Sequence, residues 1–187
     1  MRGRLTTALV VEAAADLADE LGFAALTPSE LARRLDIRVA SLYSHVAGAD
    51  DLRVRVAGLA LAESADLLDA AVAGRSGRDA LRALADTYRD YARTHPGRYD
   101  AARLRLTAEQ AAASAGPRHA ATTRGVLAAY GLDPVDETHA VRLVGGLVHG
   151  FVRLELDGGF DHSSPPAAES WERAVDALDT TLTAWGS

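Results

Sequence analysis

Apolar positions recur along this chain at intervals of three and four residues, and no stretch alternates apolar with polar as a half-buried strand would. An all-α fold of about nine helices follows. Leu9, Ala13, Leu17 and Leu21 repeat every four residues and predict an apolar stripe on a first helix over about 4–21, which Gly22 can close in a left-handed conformation. Thr27-Pro28-Ser29-Glu30 has the order of a helix start: Thr27 as N-cap, Pro28 at the first helical position, and Glu30 placed to reach back to the cap N–H. The helix it opens runs to about Leu35. After Asp36-Ile37-Arg38, a third helix spans about Val39 to His45. A fourth, about 50–72, carries Asp50 and Asp51 in its first turn, where the positive end of the dipole favours carboxylates. Five more are predicted over about 77–94, 96–113, 117–130, 134–157 and 166–185, parted by His95-Pro96-Gly97, Gly116-Pro117, Gly131 and the loop "DGGFDHSSPP".

The last two predicted helices carry the most regular pattern. Ala140, Val144, Leu147, Phe151 and Leu154 follow a 4-3-4-3 spacing, as do Trp171, Val175, Leu178, Leu182 and Trp185. Two such helices from each of two chains make a four-helix bundle, so the stripes predict a two-fold homodimer seam. The alternative is that both bury into their own domain.

Helices two and three, parted by about three residues, have the pattern of a helix-turn-helix, whose second helix enters the DNA major groove. A helix of two turns is not stable alone. Ile37, Leu42 and Val46 are therefore expected to anchor it, leaving Arg38, Ala40, Ser41, Tyr43, Ser44 and His45 for solvent. Small residues allow close approach to base edges, and hydroxyls and imidazole can bond phosphates or bases. Arg2 and Arg4 are placed to add phosphate or minor-groove contacts.

Charge restricts this picture. The formal net charge is −6, which excludes a generally basic nucleic-acid coat and leaves a local basic patch. Residues 1–55 hold seven Arg against eight acids and are nearly neutral, so the remainder carries most of the acidity. There is no Cys, hence no disulfide framework or thiolate metal site. The Arg-led apolar start imitates a signal peptide, but Glu12, Asp16, Asp19 and Glu20 interrupt it at helical intervals. No apolar run approaches the roughly 20 residues of a membrane span, and a cytoplasmic protein with no membrane partner is expected.

Residues 5–56 resemble the DNA-binding domain of the tetracycline-repressor (TetR) family of transcriptional regulators. The resemblance rests on Ala13-Ala14, Leu17, Glu20-Leu21-Gly22, Thr27, Leu31-Ala32, and Leu42-Tyr43 followed by His45. It implies an all-α homodimer with a DNA-binding domain over about 1–47 and a helical ligand-binding and dimerisation domain over 48–187. On that pattern, Arg2, Arg4, Thr27, Arg38, Val39, Ala40, Ser41, Tyr43, Ser44 and His45 are the DNA-facing residues. This chain departs from the family at the turn, where Asp36 stands for the usual Gly. It also departs at Arg38, often a capping Ser, at Val46, usually Phe, and at Ala49, commonly a phosphate-binding Lys. The second half is similar to a subgroup with an "HPG" turn and a late "HGF" motif, here His95-Pro96-Gly97 and His149-Gly150-Phe151.

Candidates for a ligand pocket are Tyr88, Tyr91, His95, Tyr99, Arg103, Leu106, His149 and Phe151, since binding cavities are largely apolar with a few convergent polar groups. The six His show no HxxxH or HExxH spacing, and GxSxG, phosphate-loop and dinucleotide fingerprints are lacking. No metal, cofactor or enzymatic role is therefore expected. The expected partners are a double-stranded DNA operator, a small-molecule effector and a second copy of the chain. The competing reading is a helical module that binds ligand or protein with little DNA affinity.

Overall fold

Helix ends fall where the chain supplies caps. In the computed structural model, which describes residues 5–187, ten α-helices follow one another: α1 (Thr7–Leu21), α2 (Pro28–Leu35), α3 (Val39–Leu42), α4 (Ala49–Val72), α5 (Gly77–Thr94), α6 (Pro96–Ala101), α7 (Ala108–Ala113), α8 (Gly116–Leu127), α9 (Pro134–Leu156) and α10 (Ala167–Trp185). Single 3-10 turns occur at Phe23–Ala25 and Ala128–Tyr130, and no strand occurs among the described residues. Arg2 and Arg4 lie outside the described residues.

The segment 96–113, expected as one helix, is two, which brings the number to ten. A reciprocal cap opens α7: Thr107 Oγ1 accepts the Gln110 N–H at 3.2 Å, and Gln110 Oε1 accepts the Thr107 N–H at 2.9 Å. Between the two helices Ala102 and Leu104 pack onto the core. At α2 only half of the expected box forms. Thr27 Oγ1 accepts the Glu30 N–H at 3.2 Å, but the Glu30 carboxylate takes Arg33 at 2.6 Å and does not return to the cap.

The chain divides into two compact units. The first takes residues up to Glu63 together with Thr94–Ala115, and so contains α1–α3, the first part of α4, and α6 and α7. Its core gathers Val10, Leu17, Leu31, Leu42, Val46 and Leu52. The stripe expected on α1 is rotated: Leu9 and Leu21 are 54% and 47% exposed, while Val10, Ala14, Ala15 and Ala18 are buried. The small residues win that face because α6 crosses it at backbone contact. A Cβ on Gly97 would stand 2.0 Å from the Ala18 carbonyl oxygen. Beside that crossing the Arg98 backbone N–H donates to Asp19 Oδ1 at 2.8 Å. Its guanidinium donates to Asp16 at 2.5 Å and to Glu63 at 3.0 Å, so α6, α1 and α4 share one cation. His95 Nδ1 lies 2.9 Å from Asp19 Oδ2.

The second unit, Ser64–Arg93 with Gly116–Ser187, contains the end of α4, nearly all of α5, and α8–α10. At its centre Trp171 is 1% exposed, and its indole N–H donates to Asp86 at 2.7 Å. The Arg89 guanidinium lies 5.2 Å from the Trp171 ring and is bidentate to Glu155 at 2.8 and 2.5 Å. Phe151 contacts Phe160 and Trp171, with ring centroids 4.9 and 5.1 Å apart.

This packing buries five of the nine expected seam residues within the single chain. Val144, Trp171, Val175, Leu178 and Leu182 are at most 3% exposed in the single chain, and Leu147 and Phe151 are half-buried. Only Leu154 and Trp185 stand open, at 53% and 38%. A 4-3 spacing states that a helix face is buried, not against which partner, and here the partners are the unit's own helices.

Two outcomes are expected. Gly97→Ala forces the new methyl onto backbone that cannot yield and lowers stability by about 3 kcal/mol, the upper end of typical overpacking costs, in chemical denaturation. Arg89 holds the Glu155 carboxyl below its ordinary value of 4.5. That contribution is complete above the ordinary value and lost as pH falls through the depressed one. Wild type should therefore have a higher Tm than Glu155→Gln at pH 7, and the difference should shrink steadily below about pH 4.5.

Candidate functional site

The turn after α2 decides where α3 points. Asp36 is left-handed, with φ 52° and ψ 48°. Its N–H reaches Arg33 O at 3.3 Å, and the Ile37 N–H reaches Ala32 O at 3.0 Å. These two bonds make the double closure by which a helix ends at a left-handed residue, performed by Asp in place of Gly. Arg38 then caps α3 with extended backbone and no side-chain hydrogen bond. The α-helical part is shorter than expected, ending at Leu42, with the His45 N–H turning back to Leu42 O at 2.8 Å.

Leu42 and Val46 are 0% and 2% exposed, and Ile37 is half-buried against the same core. They hold the segment from beneath. Arg38, Ala40, Ser41 and Ser44 are exposed, Tyr43 is 56% exposed, and Val39 is half-buried. Ser44 Oγ donates to the Ser41 carbonyl at 2.8 Å. Thr27 is exposed, though its hydroxyl serves the α2 cap. His45 turns toward α1, with Nδ1 3.3 Å from Thr7 Oγ1.

Neighbouring cations are mostly committed. Arg34 is bidentate to Glu20 and Arg33 bonds Glu30. Arg55 bonds Asp51 at 2.9 Å, and Arg53 lies over the Phe23 ring. Asp51 also accepts the Ala47 N–H at 2.8 Å, and the Arg55 bond above all holds its carboxyl below the usual range. Arg38 is exposed on the face of the turn.

In the second unit, α5, α8 and α9 line a partly open pocket of about 180 Å³, with residues including Tyr88, His119, Thr123, Val144, Gly145 and His149. The Tyr88 hydroxyl lies 2.8 Å from His119 Nδ1, and His119 Nε2 lies 3.3 Å from the hydroxyl of buried Ser64 on α4. Tyr88 and His149 meet edge to face, with centroids 5.1 Å apart.

Of the eight expected pocket residues, Tyr88 and His149 line this cavity. The other six do not join them there. Tyr91 is buried, and Phe151 packs on Phe160 and Trp171. His95, Tyr99, Arg103 and Leu106 belong to the first unit. There His95 meets Asp19, and the Arg103 guanidinium lies 5.7 Å from the ring of buried Tyr99. His119 escaped the sequence reading because it sits just past Gly116-Pro117, and its partners are 31 and 55 residues away.

Residues 81–178 match the family model of the tetracyclin repressor-like C-terminal domain. An HTH-type transcriptional regulator of Mycobacterium tuberculosis is 36% identical over 166 residues, covering 84% of this chain and 73% of that protein. The chain belongs to the TetR family. A second HTH-type regulator, from Bacillus subtilis, is 28% identical over 94% of this chain and 86% of its own length. Among solved structures, a Rhodococcus protein of unknown function superposes with a TM-score of 0.80 at 21% identity, over 97% of each chain. A TetR variant of Acinetobacter baumannii in complex with minocycline does so at 0.72 and 24% identity, over 98% of this chain and 99% of that one. These two structures share the TetR fold. The chain is thus a TetR-family transcriptional regulator of the helix-turn-helix type. None of its described helices is long and apolar enough to cross a membrane.

Proposed function

We propose that this TetR-family chain is a cytoplasmic, homodimeric repressor that binds an approximately palindromic DNA operator and is released from it by a small molecule. The observation that carries the reading is the face running from Arg38 to Ser44, exposed above the buried anchors Leu42 and Val46. Residues 1–47 act as the reading domain and residues 48–187 serve ligand binding and dimerisation. In a dimer the two reading segments reach successive major grooves when about 34–36 Å apart. A ligand with higher affinity for another arrangement shifts the population away from the DNA-competent one, and DNA weakens that ligand by the same factor. The complex of the Acinetobacter TetR variant with minocycline supports a small-molecule effector. The "HPG" and "HGF" motifs assign the chain to its subgroup on similarity alone, and no catalytic role is proposed.

The dimer face we propose lies one residue round from the buried stripes. On α9 it comprises Leu143, Gly146 and Gly150, and on α10 Ala174, Ala177 and Thr181, all exposed or half-buried in the single chain. A Cβ at Gly146 or Gly150 would meet no atom within 4 Å, which leaves room for a close partner helix.

Binding to DNA from the gene's own upstream region is expected in a gel shift at low salt, weakening steeply as salt rises. Arg38→Ala should reduce the log–log salt slope by about 0.9, the share of one phosphate contact. Ligand binding with no DNA binding at any salt would instead favour the sequestering module, which Asp50 and Asp51 beside the reading segment support. Ala177→Arg should shift sedimentation from dimer to monomer while the helical circular dichroism is retained.

A further inference from the structure

The pocket between α5, α8 and α9, partly open to solvent, selects an occupant by the room beneath its mouth, its lack of permanent charge and the placing of its polar atoms. Its volume of about 180 Å³ compares with roughly 150 Å³ for a cavity that takes one benzene molecule. That is room for a single ring with a small substituent. No Arg, Lys, Asp or Glu lines it, so an ionised ligand would find no permanent opposite charge there. Nor do three or more His, Asp or Glu side chains gather as metal ligands anywhere among the described residues.

The walls suit an aromatic face. Val141, Val144 and Val148 supply the aliphatic side, and Tyr88 and His149 present rings already crossed edge to face, the arrangement into which a further ring packs well. Polarity is concentrated where the Tyr88 hydroxyl meets His119, whose other nitrogen faces Ser64. A ligand hydroxyl both donates and accepts, and so can join this chain in either sense.

Gly145 supplies an independent observation. It borders the cavity from inside α9, a 23-residue helix, where glycine weakens the helix relative to alanine. A Cβ there would meet no atom within 4 Å. Packing against neighbouring atoms does not demand this glycine, and its missing side chain leaves open space.

Resting on the reading of this chain as a ligand-responsive regulator, we propose that its effector is an uncharged single-ring aromatic compound bearing a hydroxyl group, that is, a phenol. The test is calorimetric titration of the full chain, without DNA, against phenol, toluene, benzoate and 2-naphthol. Phenol should bind saturably at one site per chain, toluene at least tenfold more weakly, and benzoate and 2-naphthol at least a hundredfold more weakly. Tyr88→Phe should erase the preference for phenol over toluene while toluene binding persists. Gly145→Leu should abolish binding of both without lowering Tm.

No phenol binding at millimolar concentration would overturn the proposal. So would benzoate or 2-naphthol binding as tightly as phenol, or undiminished phenol binding by Gly145→Leu. Because these titrations contain no DNA, failure of the operator reading leaves their outcome unchanged. Phenol binding that fails to release operator DNA in a separate gel shift would overturn the effector role alone.

Discussion

The first compact unit depends on how near α6 can come to the backbone of α1. The limit is steric at Gly97, where any side chain would strike the Ala18 carbonyl, and electrostatic at Arg98, whose guanidinium draws carboxylates from both α1 and α4. Together they join two stretches of chain separated by thirty residues of the second unit. The helices α1–α3 therefore do not close their core alone: Ala101, from α6, is part of it. Function assigned by residue and compactness measured by contact need not divide a chain at the same place.

The helix-turn-helix end was legible because its signals are local. A Thr-Pro start, an Asp tolerant of positive φ and apolar anchors at Ile37, Leu42 and Val46 each act within a turn or two of chain, and a reader of sequence needs no distant partner to weigh them. The exceptions were matters of competition between nearby groups. Glu30 had a cap N–H and an Arg33 guanidinium within reach, and the charged partner prevailed. His45 had solvent on one side and Thr7 on the other, and the helical start of α1 drew it inward.

Tertiary choices were less legible, for a reason common to all of them. Periodicity identifies a buried face without naming what buries it. On α1 the leucines yielded the inside to alanines because a backbone, not a side chain, arrives there. On α10 the Trp171 stripe meets Asp86 and Arg89 of its own chain, which leaves the adjoining row of small residues outward. The pocket at Tyr88 was the least legible, since Ser64, Tyr88, His119 and His149 converge from four helices with no spacing rule linking them.

Gly145 and Tyr43 stand in different compact units. One glycine sets how much room the cavity has, and its replacement by residues of graded bulk changes that room in steps of a methyl group. On the reading proposed above, chemical sensitivity can thus drift during evolution, or be retuned for a biosensor, without any change in the residues proposed to read the promoter.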